Sequence, residues 1–522
     1  MIRERAPYKV LFSNDTTNIQ TCSSHYHKQR NDPFTDGCLR ATVDEVADAG
    51  PGVVHILQNG AGQVPWWKSR AYPFEEHMKF MKETYGADPS QSIFAQYMAD
   101  GGDMMATFTG HCKKRGVPAF FSMRMNDSHS HEYTYRKNAI EEKPACWHIF
   151  TKWMYDNGHL RVTQNYDDWN GRVFNFIHPE VRSYRLAFVQ EIIEDYDVDG
   201  FELDFVRHDR LFDYITTSFE ERRAIMNEMI GKVRGWLDAK GGRYRFLCVR
   251  IPAWSEILNT LGISIPDIIE RGVDMINASV SFYTEQESEL SFVIKEAAGK
   301  VPVYYEMCSY AALGKATKNW KHTYDNSTFM RVTDEMYNGT AHLAYEKGAD
   351  GVSFFNFVYY REHGSPGRGP FNEPPFHVLG YIGDKEVVAA KKCHYYLIKG
   401  FTSNQLIDTH KQLVRRVDRD GTQNFTFEVG KVKETSARIR IVAEEDITSY
   451  MITAELNGAP IPETGDVSEF YDKPYVNLVP GPDQCKAFAA GAALFKEGAN
   501  KLALEISGVD DPFTIIMVET VV

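Results

Sequence analysis

The segment 199–208 (DGFELDFVRH) has two carboxylates spaced two residues apart, Glu202 and Asp204. Apolar residues alternate with these acids, which is typical of a β-strand whose two faces meet different surroundings. Glu202 and Asp204 then share one face, roughly 6.5–7 Å apart along the strand. Because a carboxylate is costly in a core unless it is hydrogen-bonded or charge-paired, we predict that this face lines a functional interior. A buried acidic pair satisfied by arginine or backbone amides is the alternative.

Glu306, in the strand-like segment 302–307 (PVYYEM), is the strongest partner for Asp204. Hydrolysis of a glycosidic bond needs two carboxyl groups, one to protonate the leaving oxygen and one to act as nucleophile or to activate water. Their separation indicates the stereochemical course, ~5–5.5 Å for retention and ~6.5–9.5 Å for inversion. We predict Asp204 and Glu306 as the catalytic pair, with Glu202 as a third acid. The competing candidates for the acid role are Asp127, Asp168, Glu285 and Glu362.

Strand-like and helix-like segments alternate over the first 400 residues. The eight predicted strands are 9–14, 53–59, 119–126, 200–206, 245–250, 275–282, 302–307 and 351–357. Such alternation predicts a parallel sheet, and the count of eight predicts an α/β fold, a (β/α)8 TIM barrel over residues 1–400. No GxGxxG follows any strand, which disfavours an open dinucleotide-binding sheet. In a barrel of this kind the chemistry lies at the C-terminal ends of the strands.

The pattern changes after residue 400, where short strand-like segments are separated by Gly, Asp and Pro turns. The predicted strands there are 413–417, 424–429, 437–442, 449–456 and 514–518. We predict a C-terminal antiparallel β-sandwich, an accessory domain of residues 401–522. It contains no catalytic constellation, and both carbohydrate binding and a packing role stay open.

Polar and aromatic residues follow the predicted barrel strands where the site would open. The predicted substrate-binding residues are Asn14, Gln58, Trp67, Arg124, Asn126, Asp127, Arg207, His208, Arg250, Tyr283, Tyr304 and Asn356. Each alone has an ordinary reading as a loop cap or a core residue, but eight strands would bring them to one place. Aromatic rings suit stacking on sugar faces. Arginines could hold the acids ionised, or bind an anionic sugar such as a uronate or a sulfate ester.

Histidines offer a rival chemistry. His25 and His27, and His129 and His131, form HxH pairs in the loops after the first and third predicted strands. Such pairs can bind a metal ion, which leaves a metal-dependent barrel hydrolase as an alternative. The first pair lies about ten residues beyond its strand, and neither the fifth nor the sixth strand ends in His. We therefore predict no metal and no cofactor, with histidines binding sugar hydroxyls or moving protons.

The segment 199–208 resembles the fourth-strand signature of glycoside-hydrolase barrels, in particular the bacterial family-10-like glycosyl hydrolase group with its DG-x-x-x-D-x-x-R strand. It also partly matches the family 18 chitinase pattern D-G-x-D-x-D-x-E. Val206 stands where that pattern has its acid, so the family 18 mechanism is not carried over. The Asn-Glu pair of family 10 xylanases is absent as well. The resemblance implies hydrolysis of an O-glycosidic bond in an oligo- or polysaccharide and leaves the substrate open.

Composition sets the remaining bounds. A net charge of −13 disfavours nucleic acid as a partner. No apolar run approaches the ~20 residues of a membrane span, and the eight cysteines include no CxxC pair, so free thiols are expected. The first residues lack an apolar signal core, which predicts a cytoplasmic protein, or a secreted or periplasmic one if a signal peptide was removed. A carbohydrate partner is expected, a homo-oligomer is left open, and a non-catalytic glycan-binding barrel is the third alternative.

Overall fold

The computed structural model gives the backbone course of most of the 522 residues. The structure describes residues 4–24, 28–29, 32–59, 64–130, 147, 149–165, 168, 171–314, 328–361, 373–399, 407, 409, 412–432, 435–470 and 480–522.

Eight parallel strands close into a barrel, which confirms the predicted TIM-barrel fold. The barrel strands are β1 Val10–Asp15, β2 Val53–Asn59, β3 Ala119–Arg124, β4 Gly200–Asp204, β5 Phe246–Pro252, β6 Met275–Ser279, β7 Val303–Cys308 and β10 Gly351–Phe355. Between the last two, a hairpin that the sequence did not indicate is formed by β8 Tyr310–Gly314 and β9 Thr328–Arg331. All eight predicted barrel strands are present, with ends that differ by a few residues.

Helices cover the outside of the barrel. They are α1 Thr16–Thr21, α2 Asp36–Ala49, α3 Phe74–Tyr85, α4 Ile93–Ala99, α5 Met104–Arg115, α6 Lys152–Asp156, α7 Pro179–Asp195, α8 Phe219–Ala239, α9 Ser255–Leu261, α10 Ile265–Glu270, α11 Leu290–Ala297, α12 Asp334–Glu346 and α13 Lys385–Ala390. The longest, α8, begins with a capping box in which Ser218 and Glu221 satisfy each other's backbone N–H groups. Among the described residues, no helix has both the length and the apolar character that a membrane span requires.

The barrel interior changes from apolar to polar along the strands. Near the N-terminal ends lies an apolar layer that includes Leu11, Val54, Ile56, Phe120, Phe246, Met275 and Tyr304. Toward the C-terminal ends, Glu202 lies between Ser122 and Cys248 in register, and two residues later Asp204 lies between Arg124 and Arg250. The predicted acidic face of β4 therefore points into the barrel, as expected.

Tyr304 requires a correction. It is fully buried in the apolar layer, and its hydroxyl donates to the Tyr8 carbonyl at 3.0 Å, before the start of β1. It does share a face with Glu306, but two residues earlier on β7, at the N-terminal end of the barrel. Tyr304 is a core residue rather than a substrate contact.

The C-terminal region contains two antiparallel sheets. The six-stranded sheet is formed by β11 His394–Ile398, β12 Arg415–Val417, β14 Ser436–Ala443, β17 Glu463–Thr464, β18 Cys485–Gly491 and β20 Phe513–Val521. The four-stranded sheet is formed by β13 Gly421–Val429, β15 Met451–Leu456, β16 Ala459–Ile461 and β19 Gly498–Ser507. Side chains of both sheets share one apolar core, as in a sandwich. β11, which precedes the predicted division at residue 400, pairs with β20 of the C-terminal sheet.

The six-stranded sheet turns its second face toward the barrel, where Tyr396, Ile398 and Met517 join the barrel core. On the same face, Glu519 accepts from Arg440 and pairs with His394 Nε2 at 2.8 Å. From the barrel, Gln286 donates to the His394 carbonyl at 2.9 Å and accepts from the Tyr396 N–H at 2.8 Å. A barrel side chain thus satisfies two backbone groups on the buried edge of β11.

At Gly351 the backbone of β10 closely approaches the residue before β1. A Cβ at this position would lie 2.3 Å from the Lys9 carbonyl oxygen and 2.9 Å from Tyr304 Cδ1. We expect Gly351→Ala to lower the free energy of unfolding by about 1–3 kcal/mol, the usual cost of overpacking, as measured by urea denaturation. Gly231→Ala on α8 is the control, because nothing lies within 4 Å of its Cβ position, and it should gain up to about 1 kcal/mol from helix propensity. Equal unfolding midpoints for the two variants would contradict the packing described here.

Candidate active site

Arg250 on β5 holds the two predicted catalytic acids together. Its Nη1 donates to both oxygens of Asp204, at 2.9 and 3.0 Å. Its Nε and Nη2 donate to the two oxygens of Glu306, at 2.6 and 2.5 Å. The guanidinium carbon lies 4.3 Å from the centre of the Phe355 ring, so one face of the cation is covered. Burial lowers the pKa of Arg250, but Asp204 and Glu306 outweigh it, and the pKa is raised well above its usual value.

Neutral donors complete the shell around each acid. Asp204 also accepts from Gln58 Nε2 and from the Val206 N–H, both at 2.8 Å. Glu306 also accepts from the Ser279 hydroxyl at 2.6 Å and from Asn277 Nδ2 at 3.2 Å. Asp204 and Glu306 are each only 1% exposed. Both acids therefore contact Arg250. The alternative from sequence, a buried acidic pair satisfied by arginine or backbone amides, concerned Glu202 and Asp204. Of these two, Asp204 is paired with Arg250 and accepts from the Val206 N–H.

Glu202 lies one step deeper in the barrel and is fully buried. It accepts from the Ser122 hydroxyl at 2.7 Å and lies 3.5 Å from the Cys248 thiol. Asn277 Nδ2 contacts both Glu202, at 3.3 Å, and Glu306, at 3.2 Å. Burial, followed by the charge of Asp204, raises the pKa of Glu202 to about 7. Glu202 is thus coupled to Glu306 through the single amide of Asn277.

A second charged cluster surrounds Arg124 on β3. Arg124 pairs with Asp15 and lies 3.5 Å from Asp127, and its Nη2 also donates to Gln58 Oε1 at 3.1 Å. Gln58 therefore accepts from Arg124 and donates to Asp204, which links the two arginine clusters. Asp15 enters this site, whereas Asn14, the predicted contact, pairs in register with Leu57, which belongs to the outer core. Asp15 shares a strand face with Leu11, which lies in the inner layer, and the sequence of β1 alone does not show which of its two faces points inward.

The loops after β3 and β4 bring two histidines to one acid. Asp127 Oδ1 accepts the His129 backbone N–H at 2.7 Å and lies 2.6 Å from His129 Nδ1. His208 Nε2 lies 2.8 Å from the Ser128 hydroxyl, and its ring stands perpendicular to that of His129 with centroids 5.4 Å apart. Burial raises the pKa of Asp127, but His129, His208 and Arg124 outweigh it and hold the pKa far below its usual value. Burial also lowers the pKa of His208 well below its usual value, against the opposing charge of Asp127.

Two further predicted contacts have structural roles. Trp67 lies outside the barrel wall, where its ring packs on Phe121 and its indole N–H donates to Glu191. A tryptophan in the layer between strands and helices cannot serve as the sugar platform that we predicted, because the closed sheet separates it from the lumen. Asn126 lies at the end of β3, but its Nδ2 donates to the carbonyls of Phe174 and Arg210, at 2.7 and 3.0 Å. Asn126 thereby joins the segments around Phe174 and Arg210 through hydrogen bonds.

The remaining candidates lie at the C-terminal ends of the strands. Arg207 stacks over Phe282, with its guanidinium carbon 5.2 Å from the ring centre, and Tyr283 packs on the same ring at 5.4 Å. Asn356, in the left-handed region with a φ of 53°, accepts from Asn18 Nδ2 at 3.1 Å. These three side chains stay candidates for substrate contact.

Of the competing acids, Asp168 accepts from Arg210 at 3.0 Å and Glu285 is buried. Glu362, His25, His27 and His131 lie outside the described residues. The seven described cysteines are buried thiols, as expected for that part of the chain.

Comparison with known proteins gives fold-level likeness only. No protein-family model matches the chain, and neither does any curated protein. Among solved structures, catalytic domain 2 of a Group II chitinase from Ostrinia furnacalis is 11% identical, with 67% of this chain and 90% of that chain covered and a TM-score of 0.38. The PgaB glycoside hydrolase domain from Bordetella bronchiseptica is 8% identical (68% and 96% covered, TM-score 0.39). Chitinase ChiA74 from Bacillus thuringiensis is 9% identical (96% and 98% covered, TM-score 0.40). Likeness at this level carries no conclusion about activity, and the resemblance to the family-10-like group stays a prediction.

Glu202 gives a pH-dependent prediction. The pKa of Glu202 rises from 4.5 to about 7 on folding. Between these pH values the folded chain therefore retains a proton on Glu202 that the unfolded chain has lost. The resulting stabilisation is complete below about pH 4.5 and is lost as the pH rises to about 7, by up to about 3 kcal/mol. Glu202→Gln removes the charge, so its unfolding free energy should rise relative to wild type across that window.

Urea denaturation at several pH values between 4.5 and 7.5 measures this difference. Glu519→Gln is the control, since Arg440 and His394 outweigh the effect of burial and lower the pKa of Glu519. The unfolding free energy of Glu519→Gln should not rise relative to that of wild type as the pH increases. A difference in unfolding free energy between wild type and Glu202→Gln that does not change with pH would contradict the prediction.

Proposed function

We propose that this protein hydrolyses an O-glycosidic bond in an oligo- or polysaccharide, with Asp204 and Glu306 as the two catalytic carboxyl groups. The observation that carries the proposal is the convergence of these acids on Arg250 at the C-terminal end of a closed barrel. Barrel enzymes place their catalytic groups at this end, and glycosidic hydrolysis requires a carboxyl pair.

The proposed reaction needs one carboxyl group of the pair in its protonated form and the other ionised. Arg250 binds both groups and can stay paired with the ionised one. The protonated acid would donate to the leaving oxygen, and the ionised one would attack the sugar or activate water. Which of the two takes which role depends on the side from which the substrate enters.

Neighbouring polar groups would keep the two acids in position during this exchange. Gln58 fixes Asp204, while Ser279 and Asn277 fix Glu306. Since both acids are 1% exposed, substrate binding must draw Arg250 away from one of them. This movement loses two hydrogen bonds, each worth about 1.5–3 kcal/mol when made to a charged group. Binding energy from the rest of a long sugar chain can offset that cost.

A glycan-binding barrel without catalysis is the second candidate function. The burial of Asp204 and Glu306 favours this candidate, because acids that stay bound to Arg250 in every state could not reach a glycosidic bond. Such a protein would hold an oligosaccharide without cleaving it.

Asp204→Asn and Glu306→Gln test the proposed hydrolysis. Each should lower turnover by about 10²–10⁴-fold, the typical contribution of a positioned acid or base, while the fold is retained. The assay is release of reducing ends from a polysaccharide panel that includes sulfated and uronate-containing chains.

The matched control is Asp274→Asn, because Asp274 also pairs with a buried arginine, Arg234 at 2.9 Å, and lies at the opposite end of the barrel. This control should change stability and leave turnover per folded molecule near wild type. Near-normal turnover in both site variants, with circular dichroism unchanged, would exclude the assignment. Binding of a panel member without cleavage by the wild-type chain would instead establish the second candidate.

A further inference from the structure

Asp127, His129 and His208 form a group whose chemistry differs from that of the acid pair. Asp127 and His129 lie on the loop after β3, and His208 lies on the loop after the neighbouring strand β4. One ligand atom from each lies within 4.8 Å of the other two, and the described residues contain no other group of three such side chains this close together. The adjacency of β3 and β4 in the barrel creates this cluster from residues about 80 positions apart in the sequence.

We infer that Asp127, His129 and His208 bind one divalent transition-metal ion such as Zn²⁺. Two imidazoles and one carboxylate are a common ligand set for such ions, and three protein ligands leave a coordination position for water or a substrate oxygen. At bond lengths of about 2.0–2.2 Å the ligand atoms of one ion lie roughly 3–4 Å apart, so the side chains need only small movements to close around it.

Outer contacts already orient the three ligands. Asp127 Oδ1 accepts the His129 backbone N–H at 2.7 Å, and Arg124 lies 3.5 Å from Asp127 Oδ2. The Ser128 hydroxyl lies 2.8 Å from His208 Nε2 and fixes the ring plane. Metal ligands commonly have such partners, which set the tautomer and the ring orientation. An ion would take the place of the contact between Asp127 and His129 Nδ1.

This inference does not rest on the proposed glycosidic hydrolysis, since it concerns binding alone. The sequence predicted no metal, and its HxH alternative paired His129 with His131 and the first loop with His25 and His27. His25, His27 and His131 lie outside the described residues, and within them Asp127 and His208 lie beside His129.

The experiment is isothermal titration of the full chain with ZnCl₂, after treatment with a chelator and without an affinity tag. We expect one equivalent to bind to the wild-type chain. His129→Ala and His208→Ala should each weaken binding by at least about 100-fold, since each removes a ligand from a site of three. The control is His111→Ala, because His111 also contacts a carboxylate, Asp44 at 2.8 Å, away from the barrel mouth. This variant should still bind one equivalent of Zn²⁺.

A second readout does not depend on the folding of the variants. Co²⁺ added to the wild-type chain should give the visible d–d bands of a nitrogen and oxygen site, without the charge-transfer band of a thiolate ligand. Absence of Zn²⁺ binding by the wild-type chain, retention of the equivalent in both ligand variants, or a thiolate band would each overturn the inference.

Discussion

The guanidinium group of Arg250 is the interaction on which the interior of this barrel depends. Moving a carboxylate out of water costs several kcal/mol unless a partner compensates it, and Asp204 and Glu306 are both buried in the lumen. Arg250 supplies two hydrogen bonds to each acid, and the Phe355 ring beneath it fixes its plane. Because the strands form a closed cylinder, inward side chains from β4, β5 and β7 have only this volume to share.

Gln58 connects this cluster with the one around Arg124. Its amide group satisfies one arginine cluster with its oxygen and the other with its nitrogen. A change of charge at Asp127 therefore reaches Asp204 through Arg124 and a single amide, which is a short physical path. The proposed metal ion and the proposed acid pair would occupy neighbouring parts of one barrel mouth, where each alters the electrostatic surroundings of the other.

The C-terminal sheets add a further buried charge cluster, in which an acid is again paired with an arginine. Glu519 lies between Arg440 and His394 on the face that meets the barrel, and Gln286 closes the edge of β11 from the barrel side. In both places a buried acid is paired with an arginine. In the sheet this pair lies on the face that meets the barrel, whereas inside the barrel it surrounds the atoms that we propose for catalysis.

The sequence alone determined the barrel, the strand positions and the inward face of β4, because the period-two alternation of side chains is a local property of each strand. It also selected Arg250 and Glu306. A strand without an alternating acidic face does not reveal which side points inward or how deep a residue lies, so Asn14 and Tyr304 were assigned to the site in error. A loop does not reveal what it packs against, which is why Trp67 was misassigned as well. Only the tertiary structure decided that one arginine holds both acids and that His208 meets Asp127. Those contacts join different strands, and their geometry depends on the register in which the closed sheet pairs them.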